Sequence, residues 1–384
     1  MNFEYNEEQQ MLKESMHRWF QDNYSFEQRS AILKKGDSFS KEHWQTFAEL
    51  GWLSIPFSED HGGFSGNIID TAAMMEEFGK SLSLAPMLPT LFLFGGSLEC
   101  SPNSEMAAEL IPQIIAGSLL GAVASYEPQA RFDVSNIATT ATKEGEDYVL
   151  SGQKSVVLGG AHADKFIVSA RTSGGQNDEA GITLFLLDRD VDGLSIDSFS
   201  LIDSQEVADL TLDNVRVGAD QLVSEVGAGY ALIADVFQCA HIALSAEALG
   251  IMQKLNATTL EYTKTREQFG VPISSFQVLK HRMVDTFMAY EQTKSMLFGT
   301  LCEMTDGITS AAEVAKMVSG LRTLVAKYGK LVGDEAIQLH GGMGITDELD
   351  VGHYVKRLMM INLLFGNGDF FQSQYNQLAY QNQA

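Results

Sequence analysis

Residues 266–273 read REQFGVPI and place a lone arginine at an abrupt helix exit. The Arg266 guanidinium is planar and permanently charged, and its donors suit a diphosphate. Beside it, Phe269 and Gly270 offer a flat apolar face with no bulk behind it. The stretch therefore predicts a site for the adenosine-diphosphate half of a cofactor. The alternative is an ordinary helix C-terminus whose arginine is solvated.

Composition predicts a globular protein of two or three domains. The chain has 384 residues, 45% of them hydrophobic and 20% charged. Its first residues are acidic where a signal peptide is basic, and no apolar run approaches the roughly 18 residues that span a bilayer. We therefore expect a cytoplasmic protein without membrane insertion.

Charge and cysteine content narrow the classes of function. The formal net charge of -24 repels a phosphate backbone, so we expect no nucleic-acid partner. Cys100, Cys239 and Cys302 are far apart and odd in number, which argues against a disulfide framework and a metal cluster. We expect these cysteines to be small core residues.

The hydrophobic period changes twice along the chain. Helical spacing dominates from Glu7 to about Gly51, over 69–84 and over 104–115, and it returns after Gly229 with breaks near 270–272, 306–307 and 341–344. This pattern predicts an α-helical domain over 1–117, a β domain over 118–226 and a helical bundle over 227–384. Short β-branched segments mark the middle domain: 138–142, 148–150, 166–169, 182–187 and 209–213.

Six motifs in this order resemble the acyl-CoA dehydrogenase family over essentially the whole chain. They are PFSEDHGG at 56–63, Glu127-Pro128 with Asp133, Gly152-x-Lys154, LDNVRV at 212–217, REQFGVPI at 266–273 and QLHGG at 338–342. The resemblance implies an α+β fold with an N-terminal helical domain, a middle β-barrel or sandwich and a C-terminal four-helix bundle. It also implies FAD-dependent α,β-desaturation of an acyl-CoA thioester, as in β-oxidation of fatty acids.

The resemblance places FAD between two subunits and assigns its ADP side to residues that reach across their interface. Arg266 is assigned to the pyrophosphate, Phe269 to the adenine end, and Gln338, Gly341 and Gly342 to the rest of the ADP portion. Paired glycines let backbone N–H groups approach an anion closely. This half of the cofactor site matches the family.

The half that would hold the flavin ring departs from the family pattern. Tyr126 replaces a threonine, QARF at 129–132 replaces Gly-Ala-Gly-Ser, Val156 replaces a tryptophan and Leu158 a hydroxyl residue. These changes remove a stacking surface and two hydroxyls, and Phe132 adds bulk. Two interpretations follow: the chain's own ring site is vestigial, or another geometry binds flavin with the Tyr126 hydroxyl.

The family's catalytic base, usually a glutamate in an E-G-T segment, has no clear counterpart. Residues 363–371 read LLFGNGDFF. Counting without gaps puts Asp369 at the base position, whereas alignment on Phe365-Gly366 leaves no carboxylate there. Asp369 is one methylene shorter than glutamate, and a misplacement of about 1 Å can cost on the order of 10²-fold in rate.

A second family position for the base, on the first long C-terminal helix, corresponds to Ala240-His241 and is also without a carboxylate. Glu247 follows in the apolar run 242–249. Burial there would raise its pKa, but an exposed helix glutamate is the simpler expectation.

CoA is itself strongly anionic, so its binding to this acidic chain requires a local basic surface. Arg131, Arg171, Arg266 and Lys154 are the candidates for that surface. A nicotinamide cofactor is disfavoured because the segment Gly227-Ala-Gly229 lacks the third glycine of a dinucleotide fingerprint.

A chain whose ADP side is intact and whose flavin-ring side is altered resembles the small subunits of pimeloyl-CoA dehydrogenase-like heteromeric enzymes. We therefore expect a dehydrogenase subunit that works with a paralogous large subunit in a heterotetramer, on a dicarboxylyl, steroid-side-chain or other unusual acyl-CoA. Electrons would pass to an electron-transfer flavoprotein or another acceptor. The alternatives are a homomeric tetramer that uses Asp369 or Glu247 as base, and a catalytically silent binding or scaffold protein.

Overall fold

The computed structural model describes residues 4–380. The chain forms two compact units, each made of segments that are discontinuous in sequence. One unit takes in the described residues of Met1–Ala31, Asn67–Ser83 and His241–Ala384, and the other takes in Ile32–Gly66 and Leu84–Ala240. The division of the chain into three domains at 117 and 226 stays a prediction.

The predicted order of helices, strands and helices is confirmed. The α-helices within residues 4–380 are α1 (Glu7–Asn23), α2 (Phe26–Lys34), α3 (Lys41–Glu49), α4 (Ile68–Lys80), α5 (Gly96–Glu99), α6 (Ser104–Ile115), α7 (Gly229–Thr265), α8 (Gln277–Thr305), α9 (Ala311–His340), α10 (Val351–Ile361) and α11 (Gly368–Tyr380). A buried π-helix, Met87–Gly95, precedes α5. Asn side chains cap α1, α4 and α6, which the apolar spacing predicted, and fix where these helices begin.

The middle of the chain forms one seven-stranded sheet. Its strands are β1 (Gly121–Ala124), β2 (Thr140–Glu144), β3 (Asp147–Leu158), β4 (Lys165–Arg171), β5 (Ile182–Asp188), β6 (Leu194–Ser200) and β7 (Glu206–Val217). The order is β1-β4-β2-β3-β7-β6, and β5 pairs with β4. The sequence predicted five of these strands and missed β1, which has four small residues, and β6, an edge strand that is largely exposed.

Burial alternates along much of β7, whereas β4 and β5 are buried at nearly every position. In β7, Val207, Leu210 and Val215 are buried while Asp209 and Thr211 face outward. Buried side chains from β1 to β5 and from β7 form one apolar cluster, and the partly buried Leu194 and Ile196 of β6 pack against it. Two register shifts interrupt the pairing of β3 with β7, between Leu150 and Gly152 and between Lys154 and Val157. Such bulges re-aim side chains at the edge of a site.

The apolar helix α7 and the three cysteines bear on the expectations drawn from composition. α7 is long and apolar enough to cross a membrane by length and composition, but 72% of its apolar window is buried inside the protein, as in the core helix of a globular fold. Cys100 and Cys239 are exposed and Cys302 is half-buried, so the expectation that the cysteines are core residues is wrong. Helix-surface positions leave these small side chains only partly covered.

Helices α4 and α7 approach so closely that only glycine fits at the contact. A Cβ on Gly79 would lie 2.1 Å from the carbonyl oxygen of Glu247, and a Cβ on Gly250 would lie 2.0 Å from that of Glu76. The contact is reciprocal: each helix places a glycine against a backbone carbonyl of the other. Neither carbonyl can move without breaking its own helix.

Replacing either glycine by alanine should destabilise the protein strongly. The added methyl group meets backbone rather than a flexible side chain, so Gly79→Ala and Gly250→Ala should each cost about 3 kcal/mol or more. Gly299, within α8, is the matched control, since nothing lies within 4 Å of its added Cβ. Gly299→Ala should stabilise the helix by about 0.5–1 kcal/mol. Urea unfolding measures all three, and equal effects would contradict this account of the crossing.

Candidate functional site

The stretch REQFGVPI forms a small hairpin at the end of α7. Strands β8 (Glu267–Gln268) and β9 (Val271–Pro272) pair antiparallel, and Phe269 and Gly270 occupy the turn with φ values of 56° and 77°. Positive φ at both turn positions is the hairpin geometry that favours glycine, and Phe269 adopts it at a steric cost. The Phe269 side chain is 92% exposed. The hairpin thus presents a large apolar ring on its outside.

Arg266 lies where helix and hairpin join. Its backbone N–H donates to the Tyr262 carbonyl at 2.8 Å, and its own carbonyl accepts from the Ile273 N–H at 2.8 Å. Its side chain is exposed and has neither an ion-pair nor a hydrogen-bond partner among residues 4–380. The backbone is fixed at both ends while the guanidinium is available to an anion.

The motif QLHGG ends α9 with an open glycine turn. Gly341 has φ 60° and ψ -138°, a conformation that is nearly restricted to glycine. A Cβ on Gly341 or Gly342 would have nothing within 4 Å, and both residues are exposed. Gln338, in the last turn of α9, is also exposed. The Gly341 N–H donates to the Gln338 carbonyl and closes the end of the helix, while the space beside both glycines is open to a ligand.

The arginine hairpin and the glycine turn belong to the same unit, and one aromatic contact joins them. The rings of Tyr262, on α7, and His340, on α9, stack with centroids 4.3 Å apart. Arg266 follows Tyr262 by four residues, and Gly341 follows His340 directly. The contact brings together the two helix ends from which the hairpin and the glycine turn extend, and the assignment of these residues to a diphosphate stays a prediction.

A buried ion pair organises the start of the β domain. Lys154 Nζ donates to Glu127 Oε1 at 2.6 Å and to Ser169 Oγ at 3.0 Å. The Glu127 carboxylate also accepts from the backbone N–H groups of Ala138, at 2.7 Å, and Thr139, at 3.1 Å. The Glu-Pro segment is therefore pinned to β2 and β3.

The pair shifts the titration of both partners. Burial raises the pKa of Glu127, but the charge and hydrogen bond of Lys154, with hydrogen bonds from Thr139 and Gln129, outweigh burial and lower that pKa to about 2. Burial lowers the pKa of Lys154 to about 8, although the Glu127 carboxylate opposes the change. Both groups are charged at neutral pH.

Two residues proposed for a basic surface toward CoA are not available for it. Lys154 is 1% exposed and bound to Glu127. Arg171 is buried, and its guanidinium donates to the backbone carbonyls of residues 135, 137, 173, 176, 178 and 180. That expectation is wrong for Lys154 and Arg171 because the β domain uses their charges internally. Arg131 and Arg266 remain exposed.

The residues at the flavin-ring positions do not form a stacking platform. Ser155 N–H donates to the Tyr126 carbonyl at 2.9 Å, and the half-buried Tyr126 ring lies 5.8 Å from the Phe237 ring. Val156 is 45% exposed with φ 52°, and its N–H donates to Asp209 Oδ1 at 2.8 Å. A β-branched residue in this conformation is a genuine outlier. The bulge aims a small aliphatic side chain outward where the resemblance implies a tryptophan, and both interpretations of the ring site stay predictions.

The two carboxylates proposed as base lie in different surroundings. Asp369 is exposed in the first turn of α11 and lines a surface pocket of about 330 Å³ with Thr323, Lys327 and Gln372. Glu247 is 7% exposed and accepts two hydrogen bonds from Arg357, at 2.6 Å and 2.8 Å. The expectation that Glu247 is an exposed helix residue is wrong, because Arg357 of α10 neutralises it inside the unit.

The alternative base position holds an aromatic cluster instead of a carboxylate. The His241 ring lies 5.0 Å from the Phe371 ring and 6.1 Å from the Phe365 ring. Burial, and then the charge of Arg322, lower the pKa of His241 well below its usual range. Arg322 donates to the carbonyls of Ile361 and Leu364 at 2.6 Å and 3.0 Å, so it fixes the turn where the family's E-G-T segment would lie.

Sequence reasoning missed Tyr262, Arg357 and Arg322. Tyr262 was detectable, because an aromatic residue one turn before Arg266 is placed to contact whatever lies beneath the hairpin. Arg322 and Arg357 lie on amphipathic helices where arginine normally faces solvent, and no local pattern marks them as buried. Among residues 4–380, no group of three or more His, Cys, Asp or Glu residues could hold a metal ion.

Comparisons with known proteins cover nearly the whole chain. Models for "Acyl-CoA dehydrogenase, N-terminal domain", "middle domain" and "C-terminal domain" match residues 6–118, 122–215 and 227–375. A similar protein is the L-prolyl-[peptidyl-carrier protein] dehydrogenase of Serratia sp., with 28% identity over 96% of both chains.

Similar solved structures include PigA with FAD and proline, with a TM-score of 0.90, 26% identity and coverage of 99% of this chain and 100% of that one. Another is the steroid ACAD Tcur3481-Tcur3483, with a TM-score of 0.87, 26% identity and coverage of 98% and 99%.

The buried pair makes a prediction for acid stability. The depressed pKa of Glu127 means that its contribution is complete above the ordinary value of 4.5 and is lost as pH falls through about 2. Glu127→Gln/Lys154→Met keeps an acceptor for the backbone N–H groups without the charges. The free energy of unfolding of this double variant should therefore fall less than that of the wild type as the pH drops from 4.5 to about 2.

The single variant Lys154→Met should have a free energy of unfolding about 3 kcal/mol lower than that of the double variant, because it leaves the Glu127 carboxylate buried without its charge partner. Urea unfolding across the acid range measures both effects. Parallel pH profiles for wild type and double variant would contradict the assignment.

Proposed function

Because this chain belongs to the acyl-CoA dehydrogenase family, whose members are FAD-dependent oxidoreductases, we propose that it is one subunit of a heteromeric acyl-thioester dehydrogenase. In this role it supplies the ADP side of an FAD site to a paralogous subunit. When bound, FAD accepts a hydride from the β carbon of the thioester. This chain contributes binding and orientation rather than the base.

The observation that carries the proposal is the outward-facing hairpin. Arg266 has no charge partner within residues 4–380, and Phe269 next to it is 92% exposed. Val271 of the same hairpin is exposed as well, and contiguous exposed apolar surface marks interaction sites. We assign Arg266 to the pyrophosphate, Phe269 to the adenine end, and Gln338, Gly341 and Gly342 to the remaining ADP contacts of a cofactor whose ring lies in the partner.

The surroundings of the base positions support the same division of labour. His241, Phe365 and Phe371 occupy the neighbourhood where a base would act, and burial keeps the imidazole of His241 neutral. Asp369 opens onto a surface pocket lined by Thr323 and Lys327. Deprotonation of the substrate therefore falls to the partner.

The flavin-ring positions point the same way. Val156 presents a short aliphatic group where a ring would need a flat surface, and Tyr126 is the residue there with a hydroxyl for a flavin. The similar ACAD Tcur3481-Tcur3483 is named for two components, and the motifs resemble the small subunits of pimeloyl-CoA dehydrogenase-like enzymes. We propose a heterotetramer in the cytoplasm with an electron-transfer flavoprotein or another acceptor.

The substrate class is proposed from the family and its relatives. An acyl-CoA is the first candidate, and the exposed Arg131 is the remaining candidate for its anionic groups once Arg266 is assigned to FAD. The similarity to an enzyme of prolyl groups on a peptidyl-carrier protein favours a carrier-bound thioester as the second candidate. Both substrates present the same activated α proton to a base.

The absorption spectrum separates the heteromeric role from self-sufficiency. We expect the chain expressed alone to be colourless or only weakly loaded with flavin, and a co-expressed glutamate-bearing paralogue to bring flavin absorbance and activity. A yellow homomer that reduces its flavin on addition of an acyl-CoA would overturn the proposal. In that homomer, Asp369→Asn and Glu247→Gln identify the base by loss of activity. A mixture that forms a complex but stays inactive would indicate a scaffold protein.

Arg266→Gln tests the cofactor half directly. Removing the guanidinium fork should weaken FAD binding to the assembled enzyme by at least about tenfold, since hydrogen bonds to charged groups contribute about 1.5–3 kcal/mol. Arg216→Gln is the control, because Arg216 is an exposed arginine that pairs with Glu144 in the β domain. Flavin fluorescence on dilution gives the dissociation constants. Equal constants for the two variants would contradict the assignment of Arg266.

A further inference from the structure

A single aromatic pair connects the two helix ends that carry the ADP-side residues. The rings of Tyr262 and His340 stack at 4.3 Å between centroids and 29° between planes. The Tyr262 hydroxyl donates to the His340 carbonyl at 3.3 Å. Since Tyr262 and His340 are 78 residues apart, this contact is a tertiary link and not a feature of either helix.

The His340 ring is held firmly within its helix end. Nδ1 lies 2.8 Å from the Ala336 carbonyl, and because a carbonyl only accepts, Nδ1 carries the proton. The residue is 3% exposed, and Nε2 has no hydrogen-bond partner among residues 4–380. A buried ring with an unsatisfied nitrogen costs free energy. The flat face of the His340 ring that packs against Tyr262 is the contact that offsets this cost.

The hairpin beyond this contact has little packing of its own. Residues 266–271 are all exposed, and the two strands of the hairpin are two residues each. A two-stranded hairpin of this size is marginal by itself. The Arg266 N–H bond to the Tyr262 carbonyl ties the hairpin to the same residue that stacks on His340. The glycine turn is attached to the other member of the stack, because Gly341 is the residue that follows His340.

We propose that Tyr262 and His340 are positioning residues that hold Arg266 and the Gly341–Gly342 turn at the spacing an FAD diphosphate requires. The inference rests on the proposed function of the hairpin. Neither ring needs to touch the cofactor. The stack fixes in advance the separation of the Arg266 backbone and the glycine turn, so less ordering is left for the moment of binding.

Substitutions that keep or remove the stack test the proposal. Tyr262→Ala and His340→Ala remove it. Tyr262→Phe and His340→Phe keep two stacked rings and remove the polar atoms. His353→Ala is the matched control, because His353 contacts Phe26 with ring centroids 4.9 Å apart in the same unit. All variants are made in the chain assembled with its partner, and FAD itself is the probe.

We expect the two alanine variants to raise the FAD dissociation constant at least about tenfold, because the hairpin and the glycine turn would then have to be ordered at the moment of binding. The two phenylalanine variants and His353→Ala should stay within about threefold of the wild type, which is below the effect of a lost charged hydrogen bond. Rescue by phenylalanine separates positioning by the rings from a chemical role of the His340 nitrogen. Wild-type FAD affinity in folded Tyr262→Ala and His340→Ala would overturn the proposal.

Amide hydrogen exchange gives a second measurement that does not need FAD. Protection at residues 266–273 and 341–345 should fall in the alanine variants and persist in the phenylalanine variants and in His353→Ala. If the wild-type assembly binds no FAD, the proposed function fails, while the exchange pattern still reports whether the stack positions the two segments. Unchanged protection in the alanine variants would overturn the positioning role in either case.

Discussion

The contact of α4 with α7 is the constraint on which the helical unit depends. Gly79 and Gly250 let each helix seat a backbone carbonyl of the other where a side chain would otherwise lie. Such close approach fixes both the separation of the helices and their rotation, because a turn of either one would drive a side chain into a backbone. The position of α7 therefore determines where the other groups along this helix lie in the unit.

The charged residues beside this crossing extend the constraint to other helices. Glu247, whose carbonyl meets Gly79, accepts two hydrogen bonds from Arg357 of α10. Glu76, whose carbonyl meets Gly250, binds Tyr5 and Lys13 near and within α1. Buried charges of this kind are costly unless both partners are in place, so they specify one arrangement of α1 and α10 against the crossing.

The two ends of the part of α7 that belongs to this unit, at His241 and near Tyr262, differ in their surroundings. His241 lies among Phe365 and Phe371, where an aromatic cluster replaces an acid–base group. At the other end, Tyr262 stacks on His340 and the chain leaves the helix as an exposed hairpin. One long helix therefore separates a region without a base from a region shaped for an anionic cofactor. This separation is the physical basis for assigning the chain a supporting role in a shared site.

The sequence by itself determined the alternation of helices and strands and the helix breaks near 270–272 and 341–344, because these features depend on local periodicity and on glycine and proline. Only the structure showed that the chain forms a hairpin after the end of α7. The family followed from motifs in order. Only the tertiary structure decided that Lys154 and Arg171 are internal, that Glu247 is neutralised by Arg357, and that Tyr262 meets His340. Those contacts join residues far apart in the chain, and the environment of a charge depends on which helix packs against it. No local pattern carries that information.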